Sequence, residues 1–207
     1  MAKVMIVDDH PTIRMAVSML LEQQQYDICC EVDNGVDAIK KCKECSPDVI
    51  IIDIGIPRLD GFEVIKRLRA LGEESKIIVL SAHSSQHIML RCYRAGANGF
   101  VSKLDDISII TKAVYTCLKG KLFFQKDILI EAKHSDDIEN MNIFNKLSDR
   151  EMSVLLAICQ GKTNKIIADD MLLSEKTIST YKTRLMKKLQ VGNIIDLLEI
   201  AKRNMIF

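Results

Sequence analysis

Over the first 120 residues, short apolar runs alternate with segments whose apolar positions recur every three to four residues. Lys3–Val7 (KVMIV) reads as a strand. Ile13, Ala16, Val17, Leu20 and Leu21 follow at i, i+3, i+4, i+7 and i+8, the spacing of one helix face. The alternation repeats four times. Strands are predicted at Tyr26–Val32, Asp48–Asp53, Lys76–Leu80 and Gly99–Val101. Helices are predicted at Asn34–Ser46, Phe62–Leu71, Gln86–Ala95 and through Ile107, Ile110, Val114 and Cys117, with Gly96 and Gly120 as stops. DVIIID (Asp48–Asp53) is apolar on both faces, as a buried parallel strand should be. Five strand–helix pairs imply a doubly wound parallel α/β sheet, open because a closed barrel needs about 200 residues or more.

The last 61 residues carry helical spacing only. Ser148-Asp149-Arg150-Glu151 forms a capping box ahead of Val154, Leu155, Ile158 and Cys159, with Gly161 as the stop. Thr163 caps a short helix holding Ile166, Ile167 and Ala168. Ser174 caps Glu175–Leu189, and after Gly192 a last helix carries Ile194, Leu197, Leu198 and Ala201. Between the two patterns, 121–146 keeps Phe123, Phe124, Ile128 and Ile130, able to pack backwards, and then a polar, aperiodic stretch from Lys133 to Asn142. The expected division is 1–120, a linker 121–146, and a small all-α unit 147–207.

Composition narrows the class. Hydrophobic residues are 48% and charged residues 28%, enough apolar surface for a core. No apolar stretch approaches the roughly 20 residues of a membrane helix, and Asp8 and Asp9 interrupt any N-terminal signal segment, so no membrane partner is expected. Seven cysteines in no disulfide spacing fit reduced thiols in a cytoplasm. The net charge of +1 is a cancellation: 15 basic against 16 acidic residues in 1–120, 4 against 5 in 121–146, and 10 against 7 in 147–207. The basic excess falls on one helix, at Lys176, Lys182, Arg184, Lys187 and Lys188, a face able to attract phosphates.

Candidate chemistry sits at the strand ends. Ligands of open parallel sheets bind beyond the carboxyl ends of the strands. Asp8 and Asp9 follow the first strand and Asp53 the third, and the sheet order 2-1-3-4-5 makes those strands neighbours. Three converging carboxylates call for a cation, and Mg2+ suits a site that supplies few protein oxygens and leaves room for phosphate. Ser81 and Lys103, ending strands four and five, add a hydroxyl and a fixed positive charge. Cys42 and Cys45 form a lone CxxC read as helix packing. His83 and His87 are read as surface or core residues, and His10 as the start of the first helix.

IVDDHP (Ile6–Pro11), IIDIGIPRLDG (Ile51–Gly61), VLSA (Val79–Ala82) and GANGFVSK (Gly96–Lys103) resemble the receiver domain of two-component response regulators, a flavodoxin-like fold. LSDREMSVLLAICQGKTNKIIADDMLLSEKTISTYKTRLMKKL resembles the LuxR-type helix-turn-helix of the NarL/FixJ subfamily. The resemblance implies that Asp53 is the phosphoacceptor, that Asp8, Asp9, Asp53 and the main-chain carbonyl of Gly55 hold Mg2+, and that Ser81, Lys103 and the aromatic Phe100 form the switch. Two departures stand out: Leu104 where many receivers carry proline, and Phe100 where tyrosine is common. In the second unit it implies that Ser179, Thr180 and Thr183 face the major groove, with Lys176, Thr177, Lys182 and Arg184 near the DNA backbone. The implied function is a transcription factor, not an enzyme. A sensor histidine kinase or phosphotransfer domain would phosphorylate it, and it would bind promoter DNA as a homodimer through Ile194, Leu197, Leu198 and Ala201. The competing readings are a constitutive DNA-binding regulator whose receiver works without phosphorylation, and an aspartyl phosphohydrolase. The latter would need an Asp where Gly55 stands.

Overall fold

The computed structural model describes residues 1–134, 143–171, 173–204 and 206. The alternation opens as β1 (Lys3–Val7), α1 (Pro11–Gln23), β2 (Asp27–Val32), α2 (Gly35–Cys45) and β3 (Val49–Ile52). It continues with α3 (Gly61–Ala70), β4 (Lys76–Ser81), α4 (Gln86–Ala95), β5 (Gly99–Ser102) and α5 (Ile109–Leu118). The strands form one parallel sheet in the order β2-β1-β3-β4-β5, the doubly wound arrangement expected from the sequence. Central β3 is buried throughout, while edge strand β2 is only half-buried.

Strand side chains alternate between two apolar layers. Val4, Ile6, Val49, Ile51, Ile78 and Leu80 pack under α1 and α5 with Val17, Leu21, Ile110 and Val114. Met5, Val7, Ile50, Ile52, Ile77 and Val79 face α2, α3 and α4, meeting Ala38, Phe62, Ile65, Leu68 and Ile88. Each such side chain, when fully buried, contributes about 1.5–3 kcal/mol. Polar residues set the helix starts: Asn34, Asp60 and Ser85 each accept the backbone N–H three residues on. Gly96 ends α4 at φ 99°, a left-handed position that favours glycine. The Arg69 guanidinium ties α3 to the α3–β4 and α4–β5 loops, donating at 2.9 Å to each of Ser75 O, Gly96 O and Asn98 Oδ1.

Residues 121–134 are more structured than a plain linker. Phe123 bridges to Gly99 in parallel register, accepting from Phe100 N at 2.8 Å and donating to Asn98 O at 2.9 Å. Phe124 stacks edge-on against Tyr93 of α4, with ring centroids 5.7 Å apart. The helix α6 (Lys126–His134) then buries Ile128 against α4, while Ile130, expected to pack back, is 56% exposed. Residues 135–142 of the predicted linker lie outside the described residues.

A 3-10 turn (Ile143–Lys146) leads into α7 (Asp149–Cys159), α8 (Asn164–Met171), α9 (Glu175–Leu189) and α10 (Ile194–Arg203). The capping box forms as predicted: Glu151 accepts from Ser148 N at 2.7 Å, and Ser148 Oγ accepts from Glu151 N at 3.3 Å. Met152, Leu155, Ile167, Ile178, Leu185, Leu189, Leu197 and Ala201 make the core of this unit. Phe144 is fully buried, its ring edge-on to His87 of α4 at 6.2 Å, so one apolar cluster runs from the sheet into the helical unit. Leu197 and Ala201, expected on a symmetry-related interface, are both 0% exposed inside their own unit. The helix spacing was right but its occupant was not a second copy at those two positions. Ile194 and Leu198 are half-buried. Among the described residues, no helix is long and apolar enough to cross a membrane.

Candidate phosphoryl-acceptor crevice and DNA-reading helix

The parallel register places Asp8, Asp53, Ser81 and Lys103 at the same end of four strands. Asp53 N donates to Val7 O at 2.8 Å, fixing the end of β3 beside that of β1, and Lys103 N donates to Ser81 O at 2.8 Å, doing the same for β5 and β4. Asp8, Asp53 and Ser81 are buried at 1%, 6% and 1% exposure. The Lys103 ammonium lies between the two carboxylates, 2.6 Å from Asp8 Oδ2 and 2.8 Å from Asp53 Oδ2. Burial alone would lower its pKa, but the Asp53 and Asp8 carboxylates outweigh burial and hold it above the ordinary lysine value. The second oxygen of Asp53 accepts from Gly55 N at 3.1 Å, and Ser81 Oγ accepts from His83 N at 3.1 Å.

The sequence-predicted acids therefore meet. Ligand atoms of Asp8, Asp9, His10 and Asp53 all lie within 4.8 Å of one another. Three carboxylates against one ammonium leave two negative charges, which matches a divalent cation held by hard oxygen donors. His10 was read from sequence only as a helix start. It is the residue before α1, and its Nδ1 lies 2.7 Å from Asp9 Oδ1 and 3.3 Å from Asp8 Oδ1. Its position directly after the acidic pair was the available signal.

Glycine sets how closely α3 approaches the crevice. A Cβ on Gly61 would fall 2.4 Å from Asp53 O and 2.7 Å from the Ile54 Cα, whereas one on Gly55 would meet nothing nearer than Asp53 Oδ2 at 3.5 Å. Phe100 is turned inward at 7% exposure and lines a cavity of about 280 Å³ with Met89, Ile109 and Phe123. Leu104, the departure from the receiver pattern, is 79% exposed.

The crevice is not open to solvent on all sides. A cavity of about 450 Å³ separates Asp9, His10, Asp53, Ser81 and Lys103 from Leu156 and Ala157 of α7, Gln160 at its C-terminal cap, and Ile167 and Met171 of α8. Arg150 of α7 sits 3.6 Å from Asp60 Oδ2 and donates to the Arg58 carbonyl, while Gln160 Nε2 is 3.2 Å from His83 Nε2. These contacts were not foreseen from sequence.

On α9, Lys176, Ser179, Thr180, Thr183 and Arg184 are exposed, and Thr177 and Lys182 half-buried. The Thr180 and Thr183 hydroxyls donate to the carbonyls one turn back, at 3.0 Å each. Asn164 of α8 links two of the predicted contacts, accepting from Lys182 Nζ at 3.0 Å and donating to Ser179 Oγ at 3.3 Å. Thr177 Oγ1 is 2.9 Å from Ser174 Oγ, within the helix cap. Lys188 is spent internally, 2.6 Å from Glu151 Oε2. Burial opposes ionisation of Glu151, but the Lys188 ammonium and Ser148 hold its carboxyl below the ordinary range. The cysteines are free thiols, and burial with a contact to Glu73 pushes Cys42 up to about 12, far from a reactive thiolate.

A parallel sheet with an acidic crevice and a fixed lysine, followed by a helix-turn-helix with an exposed basic helix, defines a receiver joined to a DNA-binding module. Residues 4–115 match the response regulator receiver domain, and residues 145–201 match the bacterial regulatory proteins of the luxR family. The chain belongs to the response regulators that carry a LuxR-family DNA-binding domain. It is 41% identical to BvgA of Bordetella pertussis, by its name a regulator of virulence-factor transcription, across 98% of this chain and 97% of that one. It is 36% identical to the DNA-binding transcriptional activator EvgA of Escherichia coli K12, across 97% and 98%. Among solved structures, RcsB from Salmonella enterica serovar Typhimurium, bound to promoter P1flhDC in the presence of the phosphomimetic BeF3-, aligns with a TM-score of 0.63 and 25% identity. That alignment covers 99% of this chain and 98% of RcsB.

Proposed function

We propose that the chain is a transcription factor switched by phosphorylation of Asp53. The observation that carries this reading is the placement of the Asp53 carboxylate against Lys103, among Asp8 and Asp9, at the carboxyl ends of the strands. An oxygen of Asp53 attacks the phosphorus of a phosphohistidine or small phosphodonor. The phosphorus–nitrogen or phosphorus–oxygen bond to the leaving group breaks, and that group takes up a proton. Lys103, freed from the carboxylate it now neutralises, pairs with a phosphoryl oxygen, and Ser81 donates its hydroxyl to another. Asp8, Asp9, Asp53 and the Gly55 carbonyl would hold Mg2+, whose contribution is to offset the charge of the transferred group. The product adds about −1.5 to −2 charge, and withdrawal of the Ser81 hydroxyl changes the space available to Phe100, linking the crevice to β5.

On the DNA side, the exposed Lys176, Ser179, Thr180, Thr183 and Arg184, with Thr177 and Lys182 beside them, support major-groove docking of α9 on promoter DNA. A homodimer suits two half-sites. At α10 it would use Ile194, Leu198 and the 72% exposed Ile195. A sensor histidine kinase or phosphotransfer domain is the implied donor, and a partner on promoter DNA supports a cytoplasmic location. A second reading, DNA binding that does not wait for phosphorylation, is favoured by the exposure of α9.

One experiment decides between them. Asp53→Asn should abolish labelling by phosphoramidate, and DNA affinity measured before and after phosphoramidate treatment of the unaltered chain should rise on treatment. Undiminished labelling of the variant refutes the acceptor assignment; labelling without any change in affinity supports the second reading.

A further inference from the structure

We infer that the helical domain selects the phosphodonor by size. In the closed arrangement it admits a small phosphorylated molecule to Asp53 and holds off a phosphohistidine presented by a protein until the two domains part. The inference rests on Asp53 being the acceptor.

Three observations carry it. First, α7 and α8 roof the crevice: Leu156, Ala157, Gln160, Ile167 and Met171 stand across a cavity of about 450 Å³ from Asp53. That volume suits a small ligand. The roof is at least one helix thick, about 10–12 Å with side chains, more than a histidine side chain can reach through from its own backbone.

Second, the roof is fastened to two of the loops that border the acceptor. Arg150 grips the β3–α3 loop through the Asp60 carboxylate, at 3.6 Å, and the Arg58 carbonyl. Gln160 grips the β4–α4 loop through His83, at 3.2 Å. Behind these, Phe144 anchors the approach to α7 in the apolar cluster beside His87.

Third, the surface covered by closure is not the reading helix. Lys176, Ser179, Thr180, Thr183 and Arg184 remain exposed. What this arrangement withholds is the acceptor, so its effect falls on the entry of phosphate rather than on the contact with bases.

The test uses the full chain and its Arg150→Ala/Gln160→Ala variant, with two donors: phosphoramidate, and a histidine-phosphorylated phosphotransfer domain of about 100 residues. Asp53 acyl phosphate is followed by mass spectrometry. Both removed contacts are partly solvated, so loosening them should raise the protein-donor rate on the order of fivefold. The phosphoramidate rate should stay within about twofold, since it does not need the opening. Arg150→Glu, which sets a carboxylate against Asp60, should open the roof at least as far and serves if the double variant folds poorly. A circular dichroism melt confirms folding of each.

Equal acceleration of both donors, or a protein-donor rate unchanged in both variants, overturns the inference while leaving Asp53 as acceptor. Absence of phosphoramidate labelling at Asp53 in every form overturns the acceptor reading and the inference with it.

Discussion

Replacing Gly61 by alanine tests how tightly α3 is built onto Asp53. At the first turn of a helix, glycine to alanine ordinarily stabilises by about 0.4–1 kcal/mol, because the unfolded chain loses freedom. Here the new methyl would sit 2.4 Å from Asp53 O and 2.7 Å from the Ile54 Cα, both backbone atoms that no rotamer change can move aside. Overpacking of this kind costs about 1–3 kcal/mol, and the upper end applies because the obstacle is main chain. Relief would also strain the bond from Gly61 N to Ile54 O, 3.1 Å long. The steric term outweighs the propensity gain, and the net expectation is a loss of about 2 kcal/mol. Gly55→Ala, six positions earlier in the same loop, is the matched control. Its methyl would meet Asp53 Oδ2 at an ordinary 3.5 Å, so its effect should stay within about 0.5 kcal/mol of zero. Urea unfolding followed by circular dichroism measures both, and, if Asp53 is the site of labelling, phosphoramidate labelling of Gly61→Ala should slow because the Asp53 main chain is displaced. Equal midpoints for the two variants would refute the close approach of α3 to Asp53.

Two further expectations concern the interface and the DNA end. Burial first, and then Arg91 and Arg94, push the His87 imidazole down to about 4, so it is held neutral against Phe144. A depressed histidine pKa means the unfolded state binds the proton more readily. Its stabilising contribution is therefore complete above about pH 6.5 and lost as pH falls towards 4, by at most about 3 kcal/mol. Comparing urea midpoints at pH 7.5 and 5 for the unaltered chain and for His87→Leu checks this, since the variant should lose less on acidification. Lys182→Ala should weaken binding by a similar factor on specific and scrambled duplexes and lower the salt slope by about one; a changed base preference would contradict a backbone role.

Much of this molecule was legible because its local rules agree with its global ones. Val4 through Val7 and Val49 through Ile52 are apolar on both faces, and a parallel sheet is the arrangement that buries both. Once the sheet is parallel, Asp8, Asp53, Ser81 and Lys103 must share one end, so the crevice followed from positions alone. The capping box at Ser148 and Glu151 was equally local. What escaped was contact at long sequence separation between single residues. Arg150 and Asp60 are 90 positions apart and each looks like an ordinary surface charge. Lys188 looked like part of a basic face, yet the Glu151 that caps α7 neutralises it. On α10, an apolar stripe states that something covers it but not whether that is a second copy or the same domain. Leu197 and Ala201 turned out to be covered by the latter. A single bridge such as Gly99 with Phe123 has no periodicity to read at all.

That bridge bears on where the receiver can be cut. A sheet edge with unsatisfied N–H and C=O groups is a template for joining other strands, and proteins cover or blunt such edges. Here the outer flank of β5 is occupied by Phe123, which takes up the N–H of Phe100 and the carbonyl of Asn98. A fragment ended at Gly120, where the helical alternation stops, would strip that cover and leave a hydrophobic strand seeking a neighbour. Ending it beyond α6 would keep the edge sealed. The solubility limit of the receiver therefore lies past its last repeat, inside what composition alone would discard as connecting chain.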